Sequence, residues 1–182
     1  MDQIGKRATF VFGGARSGKS RFAEQLAVRS GLQKFYIATG AAYDDEMADR
    51  IDKHRQQRGP SWKTIEEELD LAGVLSREAA ADRVLLIDCL TLWLSNLMFA
   101  EKSTYAETGR LIESLAEVAG PCIFVSNEVG MGIVPENRLS RSFRDAQGRL
   151  NQDIATACDQ VVFVAAGQPL LLKPNAQPEI TL

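Results

Sequence analysis

The sequence predicts an α/β fold in a single domain, with a mostly parallel central sheet flanked by helices. Three observations lead there. Short apolar runs alternate with longer amphipathic ones, the pattern of βα units rather than of a sandwich or a bundle. The first apolar run passes directly into a glycine-rich turn and then a helix-like segment. The length of 182 residues suits one domain, about 100–150 residues being typical, and is enough to bury a full core.

The strand candidates come in order. Ala8 to Phe12, Lys34 to Ala38, Val84 to Asp88, Cys122 to Ser126 and Val161 to Ala165 are short and almost continuously apolar, as expected of strands covered on both faces. Lys63 to Ile65 and Pro169 to Leu172 are weaker and suit a sheet edge. Helices are expected at Lys19 to Ser30, Asp45 to Gln57, Glu67 to Ala80, Leu92 to Phe99, Tyr105 to Ala119 and Arg138 to Cys158. Residues 1–172 form the domain. Residues 173–182, with two prolines and little periodicity, read as a poorly ordered tail.

Composition narrows the function. Apolar residues make up 45% and charged residues 25% of the chain, which excludes disorder and collagen. The 21 basic and 24 acidic residues leave a net charge of −3, so no overall basic field marks a nucleic-acid or membrane partner. Three widely spaced cysteines, Cys89, Cys122 and Cys158, form neither a disulfide framework nor a zinc motif, and they suit a reducing compartment. Met1 to Arg7 carries no signal-peptide apolar region, and no run of eighteen apolar residues occurs. The expectation is a cytoplasmic protein with no membrane span.

The strongest motif is Gly13-Gly14-Ala15-Arg16-Ser17-Gly18-Lys19-Ser20, a match to G-x-x-x-x-G-K-[ST] in the strand, loop and helix context that the motif requires. Glycines let backbone N–H groups converge on phosphate oxygens, and the helix N-terminus adds positive potential. Lys19 reaches the β and γ phosphates, and the Ser20 hydroxyl ligates Mg²⁺. A nucleotide-binding P-loop also needs a carboxylate for its metal. Asp88 ends an apolar strand at the edge where ligands gather in open α/β sheets, so it is the expected metal carboxylate. The strand Cys122 to Ser126 delivers Asn127-Glu128-Val129-Gly130-Met131-Gly132 to the same edge, where Glu128 suits either substrate or metal, or belongs to a plain turn.

Histidine occurs once, as His54, so any imidazole mechanism has one carrier. Arginine outnumbers lysine two to one, with Arg50, Arg55 and Arg58 around His54 and Arg138, Arg141, Arg144 and Arg149 on the last long helix. Guanidinium groups fit phosphate, although charged helices commonly present solvated faces. Glu46, Arg50 and His54 recur at i, i+4 and i+8 on one helix face. On spacing alone His54 reads first as an inert surface side chain, with a neutral imidazole nucleophile among cations that hold phosphates as the alternative.

Together the motifs resemble the bifunctional adenosylcobinamide kinase and adenosylcobinamide-phosphate guanylyltransferase family of cobalamin biosynthesis over nearly the whole chain. The resemblance rests on Gly13 to Arg21, Tyr36-Ile37-Ala38-Thr39, Asp45-Glu46-Met47 with Arg50, Ile51 and His54, and Trp62-Lys63-Thr64-Ile65-Glu66. It continues through Asn127 to Arg138, Phe143-Arg144-Asp145, Gly148-Arg149 and Asn151-Gln152. It implies a RecA-type P-loop fold, a homotrimer, and two reactions. In the first, adenosylcobinamide is phosphorylated from ATP or GTP; in the second, GMP passes from GTP to that phosphate through a covalent adduct, for which His54 is the one carrier here. It further implies nucleotide contacts from Ile37, Ala38, Thr39, Arg55, Gln56, Gln57, Arg58, Glu66 and Asp88. Glu66 suits guanine, since a carboxylate accepts both N1–H and N2–H. The chain departs from the family pattern at Lys53, where some members have a second histidine, at Asp88, where some have Glu, and in a longer tail. Two rivals stand beside this reading: a monofunctional P-loop small-molecule kinase in which His54 is a bystander, and a nucleotide-switched binding module.

Overall fold

The computed structural model describes residues 8–40 and 59–174. The expected helix from Asp45 to Gln57, with His54, and tail residues 175–182 lie outside them. In chain order the described elements are β1 (Ala8–Gly13), α1 (Lys19–Arg29), β2 (Gln33–Ala38), β3 (Trp62–Glu66), α2 (Leu71–Glu78) and β4 (Arg83–Asp88), followed by α3 (Leu90–Phe99), α4 (Thr104–Glu117), β5 (Cys122–Asn127), α5 (Arg138–Ala157), β6 (Gln160–Ala165) and β7 (Gln168–Lys173). Among the described residues the strands form one seven-stranded sheet in the order β3-β2-β4-β5-β1-β6-β7. All pairs are parallel except the terminal β6–β7 hairpin.

Strand alternation explains the continuous apolar runs. In β1, Phe10 enters the larger core cluster while Val11 enters the smaller one on the opposite face; in β4, Leu85 and Ile87 face the first and Leu86 the second. Both faces are therefore dry. The smaller cluster is covered by α1 through Ala23 and Ala27, both fully buried, whose small side chains let the helix lie close to the sheet. The larger cluster takes Leu71, Leu75, Trp93, Leu94, Leu97, Leu111, Leu150 and Ile154. Buried Trp93 satisfies its indole by donating to Leu69 O at 2.9 Å, as a buried Trp must.

The two weak strands sit at the two sheet edges, as expected. β7 tolerates Pro169 because an edge strand has a side that needs no ladder donor. It includes Lys173, assigned in advance to the tail; the Lys173 ammonium donates to the carbonyls of Ala155 and Thr156 near the end of α5. One helix is shorter than expected. The carboxylate of Glu67 accepts from the N–H groups of Leu69 and Asp70, and Asp70 in turn caps α2 by accepting from Gly73 N. Side chains that bond nearby backbone in this way favour turns and caps over helix interiors, so α2 starts at Leu71.

Candidate active site

The phosphate loop is built largely from its own sequence. A Cβ at Gly13 would run into the carbonyl oxygen of Val164 and lie 2.9 Å from Ser17 Oγ, so glycine is required there by packing. Gly18 has φ +94°, and a Cβ on it would stand 3.1 Å from Gly167 Cα. A Cβ on Gly14, by contrast, meets nothing within 4 Å, so no internal packing calls for glycine and its backbone lies open to a ligand. Gly14 O accepts from Ser17 N at 3.3 Å and from the Lys19 ammonium at 3.1 Å, which holds the buried Lys19 folded over the loop. The cap of α1 is Gly18, with no side-chain cap and no acidic residue in the first turn. No cap side chain or acidic residue of the helix itself therefore competes with an anion for the positive end of the helix dipole.

A contact that the sequence reading missed supports this loop from the side. The β6–β7 turn carries Ala166 and Gly167 at φ 50° and 76°, and Gly167 N donates to Ser17 O at 2.8 Å. The Ala-Gly pair between two apolar runs was the available signal, since consecutive positive φ values make the tight turns of hairpins.

Asp88 ends β4, separated from β1 by β5. In register it pairs with Ala38 of β2 on one side and Val125 of β5 on the other, and Ala38 pairs with Glu66 of β3. Glu66, Ala38 and Asp88 therefore form a row along the C-terminal edge. At ~4.8 Å per strand, Glu66 and Asp88 lie roughly 10 Å apart. The expected nucleotide contacts in β2 divide: Ile37 is wholly buried in the larger core cluster, Ala38 is half-buried at the edge, and Thr39 is fully buried. The Thr39 hydroxyl donates to Cys89 O at 2.7 Å and accepts from Cys89 N at 2.8 Å.

On the other side of Asp88, a buried polar network fixes the end of β5. Asn151 Oδ1 accepts from Ser126 Oγ at 2.8 Å and from Gln147 Nε2 at 2.9 Å, while Asn151 Nδ2 donates to Asn127 O at 3.1 Å. Asn127 N donates to Thr91 Oγ1 at 2.9 Å, and Glu128 N to Gly13 O at 3.0 Å. Glu128 thus borders the phosphate loop through its main chain, while its carboxylate accepts from Gly130 N within its own turn. The second arginine cluster is partly structural: Arg141 donates to the carbonyls of Pro135 and Glu136, and Arg144 pairs with Asp145. His54, Arg55, Gln56, Gln57 and Arg58 lie outside the described residues.

The charges converge on one thiol. Burial, and after it the Asp88 carboxylate, push the Cys89 thiol up to about 11, while the Lys19 ammonium pulls the other way. The cation of the phosphate loop and the carboxylate of β4 therefore lie within electrostatic reach of one side chain. Among the described residues no three His, Cys, Asp or Glu side chains gather into a metal cage. The hydroxyl of Ser20 and the carboxylate of Asp88 are hard oxygen groups of the type that Mg²⁺ takes, one or two from a protein, when nucleotide phosphates complete its shell. Such a donor set fits Mg²⁺.

The chain is similar to known proteins over nearly its whole length. Residues 9–172 match the family model described as cobinamide kinase / cobinamide phosphate guanyltransferase. The bifunctional adenosylcobalamin biosynthesis protein CobP of Pseudomonas aeruginosa is 51% identical, covering 90% of this chain and 95% of that protein; CobU of Escherichia coli is 40% identical over 90% and 98%. In fold, the crystal structure of the RadB recombinase is similar at a TM-score of 0.53 and 16% identity, covering 87% of this chain and 74% of that one, as expected of a RecA-like P-loop NTPase. The length of the family match and these identities lead to one statement: the chain belongs to the cobinamide kinase / cobinamide phosphate guanyltransferase family.

Proposed function

We propose that this chain phosphorylates adenosylcobinamide from ATP or GTP and then transfers GMP from GTP to the new phosphate, with His54 as the covalent carrier. The observation that carries the reading is the open phosphate cradle of Gly14, Lys19 and the uncapped start of α1 beside the row of Asp88, Ala38 and Glu66. One end suits a triphosphate and the other a base. In the kinase step the acceptor hydroxyl attacks the γ-phosphorus, the bond to the β-phosphate oxygen breaks, and the nucleoside diphosphate leaves. Lys19 and the backbone N–H groups of the loop stabilise the charge that moves onto the departing oxygen. Mg²⁺, when bound through Ser20 and Asp88, offsets phosphate charge.

In the second step an imidazole nitrogen of His54 attacks the α-phosphorus of GTP, a P–N bond forms, and pyrophosphate departs. The phosphate of adenosylcobinamide phosphate then displaces the imidazole, yielding adenosylcobinamide-GDP and free His54. A histidine adduct divides one difficult transfer into two easier ones. Ala38 at the end of β2, with Arg55, Gln56, Gln57, Arg58 and Glu66, lines the nucleotide path in this reading, and Glu128 borders the acceptor side; the side chains of Ile37 and Thr39, both wholly buried, take no direct part. The assembly is a homotrimer in the cytoplasm, with no nucleic-acid partner; among the described residues no helix is long and apolar enough to cross a membrane.

The test is incubation with α-labelled GTP. Wild-type protein is expected to take up an acid-labile label that His54→Ala loses. Label retained by the alanine variant, or an adduct stable to acid, sinks the carrier role. Phosphorylated product without any label uptake favours the monofunctional kinase, and no phosphorylated cobinamide with Mg²⁺-ATP favours a binding module.

A further inference from the structure

Thr39 has no side-chain atom left for a ligand. It is fully buried, and its groups are engaged with the chain immediately following the Asp88 Cα. Thr39 N donates to Asp88 O at 3.4 Å, and its hydroxyl closes a two-way bond with Cys89. Three consecutive main-chain polar groups, Asp88 O, Cys89 N and Cys89 O, are thereby held by one residue 49 or 50 positions away. Cys89 caps α3 without a side-chain cap bond, so the strand-to-helix junction that carries Asp88 lacks the local capping that would otherwise fix it.

The bracket continues toward the edge of the sheet. Asn96 of α3, itself buried, donates from Nδ2 to Thr39 O at 2.8 Å and to Glu68 O at 3.2 Å, two residues beyond Glu66. We propose that Thr39 is a positioning residue for the nucleotide's divalent cation, aiming the Asp88 carboxylate through the Cys89 peptide, with Asn96 linking the same junction to the Glu66 end of the site. The inference rests on the reading of Asp88 as the metal carboxylate, and it changes the expected part of Thr39 from contacting the nucleotide to orienting a ligand of the metal. Groups that hold metal ligands in place commonly control affinity by 10- to 100-fold without touching the ion.

The experiment titrates Mn²⁺, read by electron paramagnetic resonance, into the full chain saturated with a non-hydrolysable GTP analogue, and separately titrates that analogue in EDTA. Thr39→Val keeps the side-chain outline but removes the hydroxyl. It is expected to weaken Mn²⁺ by about 10-fold or more, with metal-free nucleotide affinity changed less than about twofold, and Thr39→Ser is expected to restore most of the loss. Asp88→Asn is the control: normal Mn²⁺ affinity in that variant overturns the reading of Asp88 itself, and the proposal with it. A weakened Asp88→Asn beside an unchanged Thr39→Val overturns the proposal alone. So does an equal loss of metal-free nucleotide binding in Thr39→Val, which would make the hydroxyl a nucleotide contact. Thermal melting reports folding; should the valine variant not fold, Thr39→Cys, with its weak hydrogen-bonding thiol, replaces it. Expected is an affinity below that of Thr39→Ser, and equality of the two overturns the proposal.

Discussion

The phosphate loop and the Asp88 junction, the two sides of the proposed phosphate site, are built by opposite means. The loop is gathered mostly by its own residues, Gly14 O holding Ser17 N and the Lys19 ammonium, with Gly167 N bracing Ser17 O from the side, and the helix that follows begins without a side-chain cap. The junction is held from outside, by Thr39 just after β2 and, through Thr91 on α3, by a network whose center is Asn151 on α5. A largely self-contained loop can present a strong local charge, whereas a lone carboxylate at a strand end takes its aim from partners distant in sequence.

The comparison predicts that chemistry and stability separate at the loop. Lys19→Ala is expected to lower the kinase turnover by on the order of 10²–10³-fold, the loss typical of one preorganised charge donor, while changing stability by about 1 kcal/mol or less. Steady-state rates with urea unfolding of the same preparation check both. A comparable collapse in stability would show the lysine to be a folding residue. Gly13→Ala should act in the reverse sense. Its Cβ meets the Val164 carbonyl and Ser17 Oγ, and overpacking of this kind costs about 1–3 kcal/mol, read as a lowered urea midpoint without ligand present.

At the junction the expected effects are smaller and shared. Asn151→Ala leaves Ser126, Gln147 and Asn127 O short of partners, a loss of about 1–3 kcal/mol. Combined with Gln147→Ala, the losses should fall short of their sum, because both residues serve one network; simple additivity would show that no network exists. The smallest effect concerns the thiols. Burial pushes Cys122 and Cys158 up to about 12, and Cys89 reaches about 11, from an ordinary 9.0. Native protein should therefore resist iodoacetamide at pH 8, and unfolding should release the reaction. Because the folded values lie above the unfolded one, this contribution to stability is complete below pH ~9 and is lost as pH rises toward 11–12. Rapid labelling of the native chain at pH 8 would contradict the burial.

Much of this was legible in the residues. Five continuous apolar runs announced strands dry on both faces, and Pro169 and the brevity of Lys63 to Ile65 marked the edges. Helix starts were less legible. Glu67, read as the first residue of a helix, instead accepts from the N–H groups two and three residues ahead, and a side chain that captures nearby backbone in this way favours a turn over a helix interior. Thr39 shows the same limit at the site. As part of Tyr36-Ile37-Ala38-Thr39 it resembled a nucleotide contact, and nothing nearby in sequence reveals that its hydroxyl is engaged with Cys89. Gln147 and Asn151 read as polar positions on a charged helix, whereas α5 buries both.

The phosphate loop, the alternation of strands and helices, and the family are legible in the residues alone. Each depends on residues within a few positions of one another or on whole stretches of matching sequence. Chain folding was needed to bring Glu66, Ala38 and Asp88 into one row, to set the β6–β7 turn against Ser17, and to close Thr39 on the peptide after Asp88. Those outcomes follow from strand register and turn placement, set by crossovers and core packing across as many as 150 positions, the separation of Ser17 and Gly167. A one-residue slip in such a register turns every side chain to the opposite face, so the aim of Asp88 is a property of the assembled sheet.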